Sequence, residues 1–393
     1  MDKIVILDFG SQYTQLIARR IREYQVYCEI WPYHLKECDL NSSDIKGIIL
    51  SGSPYSVADP RAPQLEEMIL KSNKPLLGIC YGLHLLVKTL GGKVVQSQTR
   101  EYGKALLTIL EKRGIFEGFG NEMVCWMSHG DSVKEIPPQF QCIARTETCD
   151  YAAIVDDQRR IWGIQFHPEV SHTPLGKEIL SNFIFNVCGC SSDWTAESII
   201  KQQIQWLRNT AQKEKVICAL SGGVDSVTAA VLTYRAIGDQ LSCIFVNNGL
   251  MRKGEPEHVL RNMEALLGKG RVIAVDAKDR FLNELQGVVD PEQKRKIIGR
   301  VFIEVFEEEA RNLGDATCLL QGTTYPDVIE SISVCGPSVK IKSHHNVGGL
   351  PELMHLRVIE PLRFLFKDEV RQLALELGIP DEIVWRQPFP GPG

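Results

Sequence analysis

The sequence predicts an α/β protein of two doubly wound, mainly parallel-sheet domains in series. Short apolar strands alternate with helical patterns in both halves of the 393-residue chain, as in a parallel sheet covered by helices. Two strand-to-helix junctions are glycine-flanked turns, one around Cys80 and one at Ser221. Between the halves, residues 188–195 break into small and polar types. A chain of this length holds about two to three domains, each with its own core. The boundaries read as 1–190, 191–387 and a short stub, 388–393.

The elements come in a regular order. Ile4 to Phe9 predicts a strand, then a helix runs through Ile17 and Ile21, and strands recur at Ile48 to Leu50 and Leu76 to Ile79. Ile161 to Phe166 is the last clear strand of the first half, ahead of a helical run near Ile179 to Val187. After the break, Thr195 stands as N-cap to a helix with Ile199, Ile200, Ile204 and Leu207 along one side. The second half repeats the alternation with Val216 to Leu220, Cys243 to Val246, Val272 to Val275 and Cys318 to Gln321. No internal repeat and no low-complexity tract interrupts it. Phe389-Pro-Gly-Pro-Gly393 cannot continue a helix or a central strand and reads as a linker.

Composition narrows the function classes. Hydrophobic content of 44% and charged content of 24% are those of soluble globular proteins. A net charge of -5 gives no electrostatic reason to expect nucleic acid. Twelve cysteines without repeating spacing, and a first strand with no charged n-region before it, point to a reducing cytoplasm. No apolar run approaches the roughly 18 residues that span a bilayer, so no membrane partner is expected. Cys188-Gly-Cys190 lacks zinc spacing and reads as structural.

Ser221-Gly222-Gly223-Val224-Asp225-Ser226 lies between an apolar strand and a helix that continues through Val227 and Val231. Paired glycines let backbone N–H groups approach an anion, the helix N-terminus adds positive potential, and the serines supply hydroxyls. The turn is suited to phosphate. It lacks the lysine of a Walker A loop, so backbone and hydroxyl groups must do the holding. The motif resembles that of the PP-loop ATP pyrophosphatases, enzymes that cleave ATP between its α and β phosphates. That resemblance assigns residues 221 to 227 to ATP binding, together with Gly322.

Gly78-Ile-Cys80-Tyr-Gly82 has the shape of a nucleophile elbow, and the following helix N-terminus favours a thiolate. Taken alone, such a cysteine is also compatible with a buried structural thiol. Downstream, Gly163-Ile-Gln-Phe-His167-Pro-Glu169 puts a histidine at a strand end with a carboxylate two residues on. That pair can deprotonate a cysteine and later protonate a leaving amine. Together, and with Asp8-Phe-Gly-Ser-Gln12 and Trp126-Met-Ser-His-Gly-Asp131, they resemble the class I glutamine amidotransferases over roughly residues 1 to 190. The resemblance makes Cys80 the nucleophile, His167 the acid/base and Glu169 its orienter. It also makes the backbone N–H groups of Ser53 and Tyr81 the oxyanion donors. Leu50-Ser-Gly-Ser-Pro54 departs from the family in one place, with Ser53 where a second glycine is usual. A positive φ there would strain a serine. His129 has two readings, lining the glutamine site or capping a turn, and His34, His172 and His258 read as surface or loop residues.

In the second half, Asp327 and Glu330 stand three apart after a strand. On a helix they face one way and suit a magnesium ion shared with phosphate oxygens, although such pairs also form solvated polar faces. Lys342, His344 and His345 lie in a glycine-rich segment. Adjacent histidines rarely share a metal, and a lid presenting these three cations to polyphosphate is the better reading. With Lys294-Arg-Lys-Ile-Ile-Gly299 and Phe366-Lys-Asp-Glu-Val370, the order of motifs resembles the glutamine-hydrolysing GMP synthetases along essentially the whole chain.

That resemblance implies adenylation of the C2 oxygen of XMP by ATP with Mg2+, then displacement of AMP by ammonia released at Cys80. Asp327 and Glu330 would hold the metal, and Lys342, His344 and His345 would stabilise charge during adenylation. Asn247 stands where that family commonly has aspartate. The family forms homodimers through a further domain after the Pro-Gly segment, so residues 388–393 are expected to be a linker stub, and XMP binding and dimerisation to depend on that domain. Other readings are a different PP-loop amidating ligase, a tRNA thiolase, or a nucleotide-binding remnant with glutaminase activity only. The charge balance disfavours tRNA, and Asp2 excludes an N-terminal-nucleophile glutaminase.

Overall fold

Ile4, Val5, Ile6 and Leu7 are completely buried, as expected of an apolar run without polar alternation that is covered on both faces. In the computed structural model, which describes residues 1–35, 40, 42–314, 316–331 and 356–387, this run forms strand β1 (Lys3–Asp8). The chain divides into two compact units, one of them Met1–Thr195 and the other beginning at Ala196. The division falls five residues beyond the boundary read from the sequence. Trp194 belongs to the first unit: its N–H donates to the Gln25 carbonyl at 2.9 Å, and its ring lies 4.6 Å from that of Tyr27.

The first unit adds β2 (Tyr27–Pro32), β3 (Ile45–Leu50), β4 (Leu76–Ile79), β5 (Lys93–Ile109), β6 (Glu122–Glu135), β7 (Gln141–Arg145), β8 (Ala153–Asp156) and β9 (Ile161–Ile164). They form one nine-stranded sheet in the order β2-β1-β3-β4-β9-β8-β7-β5-β6. The first five of these run parallel, and β8, β7, β5 and β6 extend the sheet antiparallel. Sequence periodicity passes over that extension for a physical reason. β6 alternates buried with more exposed positions, and its inward set Met123, Cys125, Met127, His129, Asp131 and Val133 is interrupted by two polar residues, so no apolar run marks it. Cys188 packs against β3 so closely that a Cβ on Gly47 would lie 2.3 Å from its sulfur. Burial pushes the Cys188 thiol well up, as expected of an inert structural cysteine.

In the second unit, β10 (Lys215–Ala219), β11 (Leu241–Asn247), β12 (Val272–Asp276), β13 (Ala316–Leu320) and β14 (Arg357–Ile359) form an all-parallel sheet ordered β12-β11-β10-β13-β14. The helices Ala196–Ala211, Val224–Ile237 and Lys367–Glu376 pack together. A core of Ile217, Ile244, Val246, Phe281, Val301, Val305, Phe306 and Leu319 joins the sheet to the helices Lys278–Leu285 and Pro291–Asn312. Open sheets of this kind bind ligands beyond the carboxyl ends of strands where the order reverses. Here that place is the end of β10 and β13. Among the described residues no helix is long and apolar enough to cross a membrane.

Candidate active site

Two glycines make the turn at Cys80. A Cβ on Gly78 would meet the Gly82 backbone at 2.6 Å, and one on Gly82 would meet the Leu50 carbonyl oxygen at 2.4 Å. Neither neighbour can give way, because both are main chain. Between them Cys80 takes φ 53° and ψ −101° at the start of the helix Tyr81–Thr89, a conformation that L-residues hold only under constraint. The strained turn places the sulfur in a cavity of about 440 Å³ lined also by Ser53, Tyr81, Ser128, His129 and His167. The Cys80 thiol lies 3.7 Å from the Ser128 carbonyl oxygen.

His167 and Glu169 follow β9 and are nearly inaccessible, at 4% and 1% exposure. The imidazole Nδ1 is 2.7 Å from Glu169 Oε1. Burial alone would drive the imidazole toward its neutral form, but the Glu169 carboxylate and the hydrogen-bonded Cys80 sulfur outweigh it and hold the group well above its ordinary range. Main-chain contacts fix the pair: the His167 N–H donates to the Trp126 carbonyl at 3.0 Å, Thr173 Oγ1 donates to the His167 carbonyl at 2.7 Å, and Arg20 Nε donates to the Glu169 carbonyl at 3.0 Å. The Tyr13 ring meets the imidazole edge-on at 5.2 Å.

The Asp8 motif serves the turn after β1, where Asp8 Oδ1 accepts from the Gly10 N–H and Thr14 Oγ1. Ser53 carries no positive-φ strain. Among the described non-glycine residues only Gln25, Asn73, Cys80, Arg160 and Gln212 have φ above zero. His129 lines the cavity from β6, with Nδ1 2.8 Å from the Asp131 carbonyl and Nε2 3.0 Å from Glu101. Asp131 in turn accepts from the Val57 N–H, which ties β6 to the loop that carries Ser53.

The second unit holds the phosphate-type turn. Gly222 has φ +76°, and a Cβ there would lie 2.7 Å from Val259, so only glycine suits it. Ser221 Oγ and Ser226 Oγ are 3.0 Å apart, Ser221 Oγ accepts from the Gly223 N–H, and the helix Val224–Ile237 begins immediately afterwards. Gly322, at the end of β13, allows that loop to approach Asp225, whose carbonyl carbon would be 3.0 Å from an added Cβ. Asp225 is ion-paired with Lys367. Burial nevertheless raises its carboxyl, the attraction of Lys367 offsets part of that, and nearby Asp327 adds to the rise. Its Oδ1 is buried and has no hydrogen-bond partner among the described residues.

Comparison with known proteins agrees with both halves. Residues 5–187 match the family described as glutamine amidotransferase class-I, and residues 211–384 match the one described as thiamine biosynthesis protein (ThiI). The GMP synthase [glutamine-hydrolyzing] of Caldanaerobacter subterraneus subsp. tengcongensis is 55% identical over 392 residues, which is 100% of this chain and 76% of that protein. The protein of the same name from Carboxydothermus hydrogenoformans is 54% identical over 391 residues, again 100% and 76%. The chain belongs to the glutamine-hydrolysing GMP synthase family.

Relative to the sites that the sequence predicts for such a synthase, the structure brings Cys80, His167, Ser53 and Tyr81 around one cavity, with Glu169 behind His167. It also gathers residues 221 to 227 and Gly322 at one strand end. Asp327 and Glu330 share the helix Tyr325–Ser331. Asp327 Oδ2 already accepts from the Thr324 N–H and hydroxyl, so it secures the helix start as well. The Glu330 side chain and Lys342, His344, His345 and residues 388–393 lie outside the described residues. Three contributors were given no role by the sequence: Gln165 and Lys367, which lie inside the quoted motifs, and His84, on the helix after Cys80. Only the position of Gln165, two residues before His167, hints at the first.

Proposed function

We propose that this GMP synthase family member converts XMP to GMP, taking nitrogen from glutamine and cleaving ATP to AMP and pyrophosphate. The observation that carries the reading is the 2.7 Å contact of His167 with Glu169 beside Cys80 on its strained turn. The Cys80 sulfur attacks the glutamine carboxamide, and the oxygen that gains charge turns toward the Ser53 and Tyr81 N–H groups. His167, held protonated by Glu169, gives its proton to the departing ammonia. The thioester that remains is hydrolysed by a water molecule that His167 deprotonates, which restores the thiol.

In the second unit the 221–226 turn holds the ATP phosphates. The C2 oxygen of XMP attacks the α-phosphorus, pyrophosphate leaves, and ammonia then displaces AMP from C2 to give GMP. Activation is needed because a purine C2 carbonyl is a poor electrophile. Magnesium fits the donor set: buried Asp225 Oδ1 has no protein partner among the described residues, and Asp327 is close enough to raise the Asp225 carboxyl. Hard cations of this kind are commonly held by one or two carboxylates and substrate phosphates. Asp327 and Glu330 would hold it, and it would neutralise phosphate charge. Lys342, His344 and His345 would steady the same charge. Cys80 must work as a free thiol, which a reducing cytoplasm preserves.

Release of AMP from ATP in the presence of XMP, measured first with ammonium and then with glutamine, tests the reading. XMP-dependent AMP is expected from both nitrogen sources. Its absence in ammonium would remove the synthetase assignment and leave only the glutaminase.

A further inference from the structure

Gln165 is completely buried, and buried amides are costly unless both ends are paired. Its Oε1 lies 2.7 Å from His84 Nε2, and its Nε2 lies 3.8 Å from Cys80 Sγ. A primary amide donates at one end and accepts at the other, so the group facing the sulfur depends on what His84 presents. His84 sits one helical turn beyond Cys80, and its N–H donates to the Cys80 carbonyl. Burial lowers its imidazole to about 4, against smaller upward effects of the Gln165 bond and Asp131 and with a further lowering from His129. The ring is therefore neutral near pH 7, and because the amide oxygen faces it with the amide nitrogen on the sulfur side, its proton sits on Nε2 and donates to Gln165 Oε1. That leaves the amide N–H pointing at the sulfur. The reversed amide would set a carbonyl oxygen against a thiolate.

We propose that Gln165, oriented by His84, is a positioning residue for the nucleophile, its amide donating to the Cys80 sulfur as a second donor besides His167. This rests on Cys80 being the glutaminase nucleophile. Two groups that stabilise the sulfur as an anion divide the work: His167 moves protons through the reaction, whereas the Gln165 amide does not titrate and stays in place throughout. The other titratable groups around the pair are Glu169 behind His167, and His129 and Asp131 on β6.

The full-length chain tests this through glutaminase kinetics and iodoacetamide alkylation of Cys80 across pH. Gln165→Leu removes the donor and is expected to lower kcat about ten- to a hundred-fold, the range for a hydrogen bond to a charged group. KM for glutamine should stay within about twofold, and the alkylation profile should move to higher pH. Gln165→Glu, which puts a carboxylate by the sulfur, is expected to move it further. His84→Leu frees the amide to turn and should reproduce part of the loss, whereas His84→Gln supplies an N–H again and should restore it. Wild-type alkylation rates and profile in Gln165→Leu would overturn the proposal. So would loss of cooperative unfolding in both Gln165→Leu and His84→Leu, which would mark the pair as packing only. Cys80→Ala separates the two levels: glutamine-driven turnover surviving that change sinks the glutaminase reading itself, whereas its loss alongside unaffected Gln165 variants sinks only this proposal.

Discussion

Glu169 is buried to 1% exposure and meets His167 with one oxygen, while the other, Oε2, has no hydrogen-bond partner among the described residues. Such a carboxylate is tolerated because the charge it orients is close by. Glu169→Gln keeps the shape and removes that charge, so glutamine-driven turnover should fall by about 10²–10⁴, while ammonium-driven GMP formation continues. Parallel assays with the two nitrogen sources check this, and equal losses would contradict the division of labour. His84 gives a second prediction, for stability. Its folded value of about 4 lies below its ordinary 6.5, so on acidification the unfolded chain takes up a proton that the native state refuses. The contribution is fully present above about pH 6.5 and is lost as pH falls toward 4, by up to about 3 kcal/mol. Urea unfolding at several pH values should show a shallower acid loss in His84→Gln than in the wild type.

At the scale of elements, the two glycine turns show how much of a site can be read locally. Gly78 and Gly82 stand in the sequence as a sharp turn around a cysteine, and each meets main chain too closely for a side chain. Gly82→Ala should therefore destabilise the chain by about 1–3 kcal/mol. It should also displace Cys80, detectable as slowed alkylation in chain that still unfolds cooperatively. The Ser221 turn was legible for the same reason, because a tight strand-to-helix turn needs its glycine at Gly222 whatever surrounds it. β6 was not legible. Its inward residues include His129 and Asp131, whose burial is acceptable only once Glu101 and Val57 are present as partners. No window along the strand contains that information.

At the scale of the whole molecule, the two units have separate apolar cores, one around Val5, Leu7, Leu50 and Leu86 and the other around Ile244, Phe281 and Phe306. Each ligand is expected to stabilise the unit that binds it. Calorimetry should therefore resolve two transitions, with ATP and magnesium raising one and a covalent glutamine analogue at Cys80 raising the other. A single transition moved equally by both would show that the cores unfold as one. By itself the sequence determined the alternation of strands and helices, both glycine turns and the residue types Cys80, His167 and Glu169, because period, turn geometry and chemical type are local properties. Only the tertiary structure decided that Gln165 reaches the Cys80 sulfur with His84 at the other end of its amide and that Lys367 pairs with Asp225, 142 positions away. Those meetings depend on which strand ends lie side by side, and strand order follows from packing the whole sheet rather than from any segment of it.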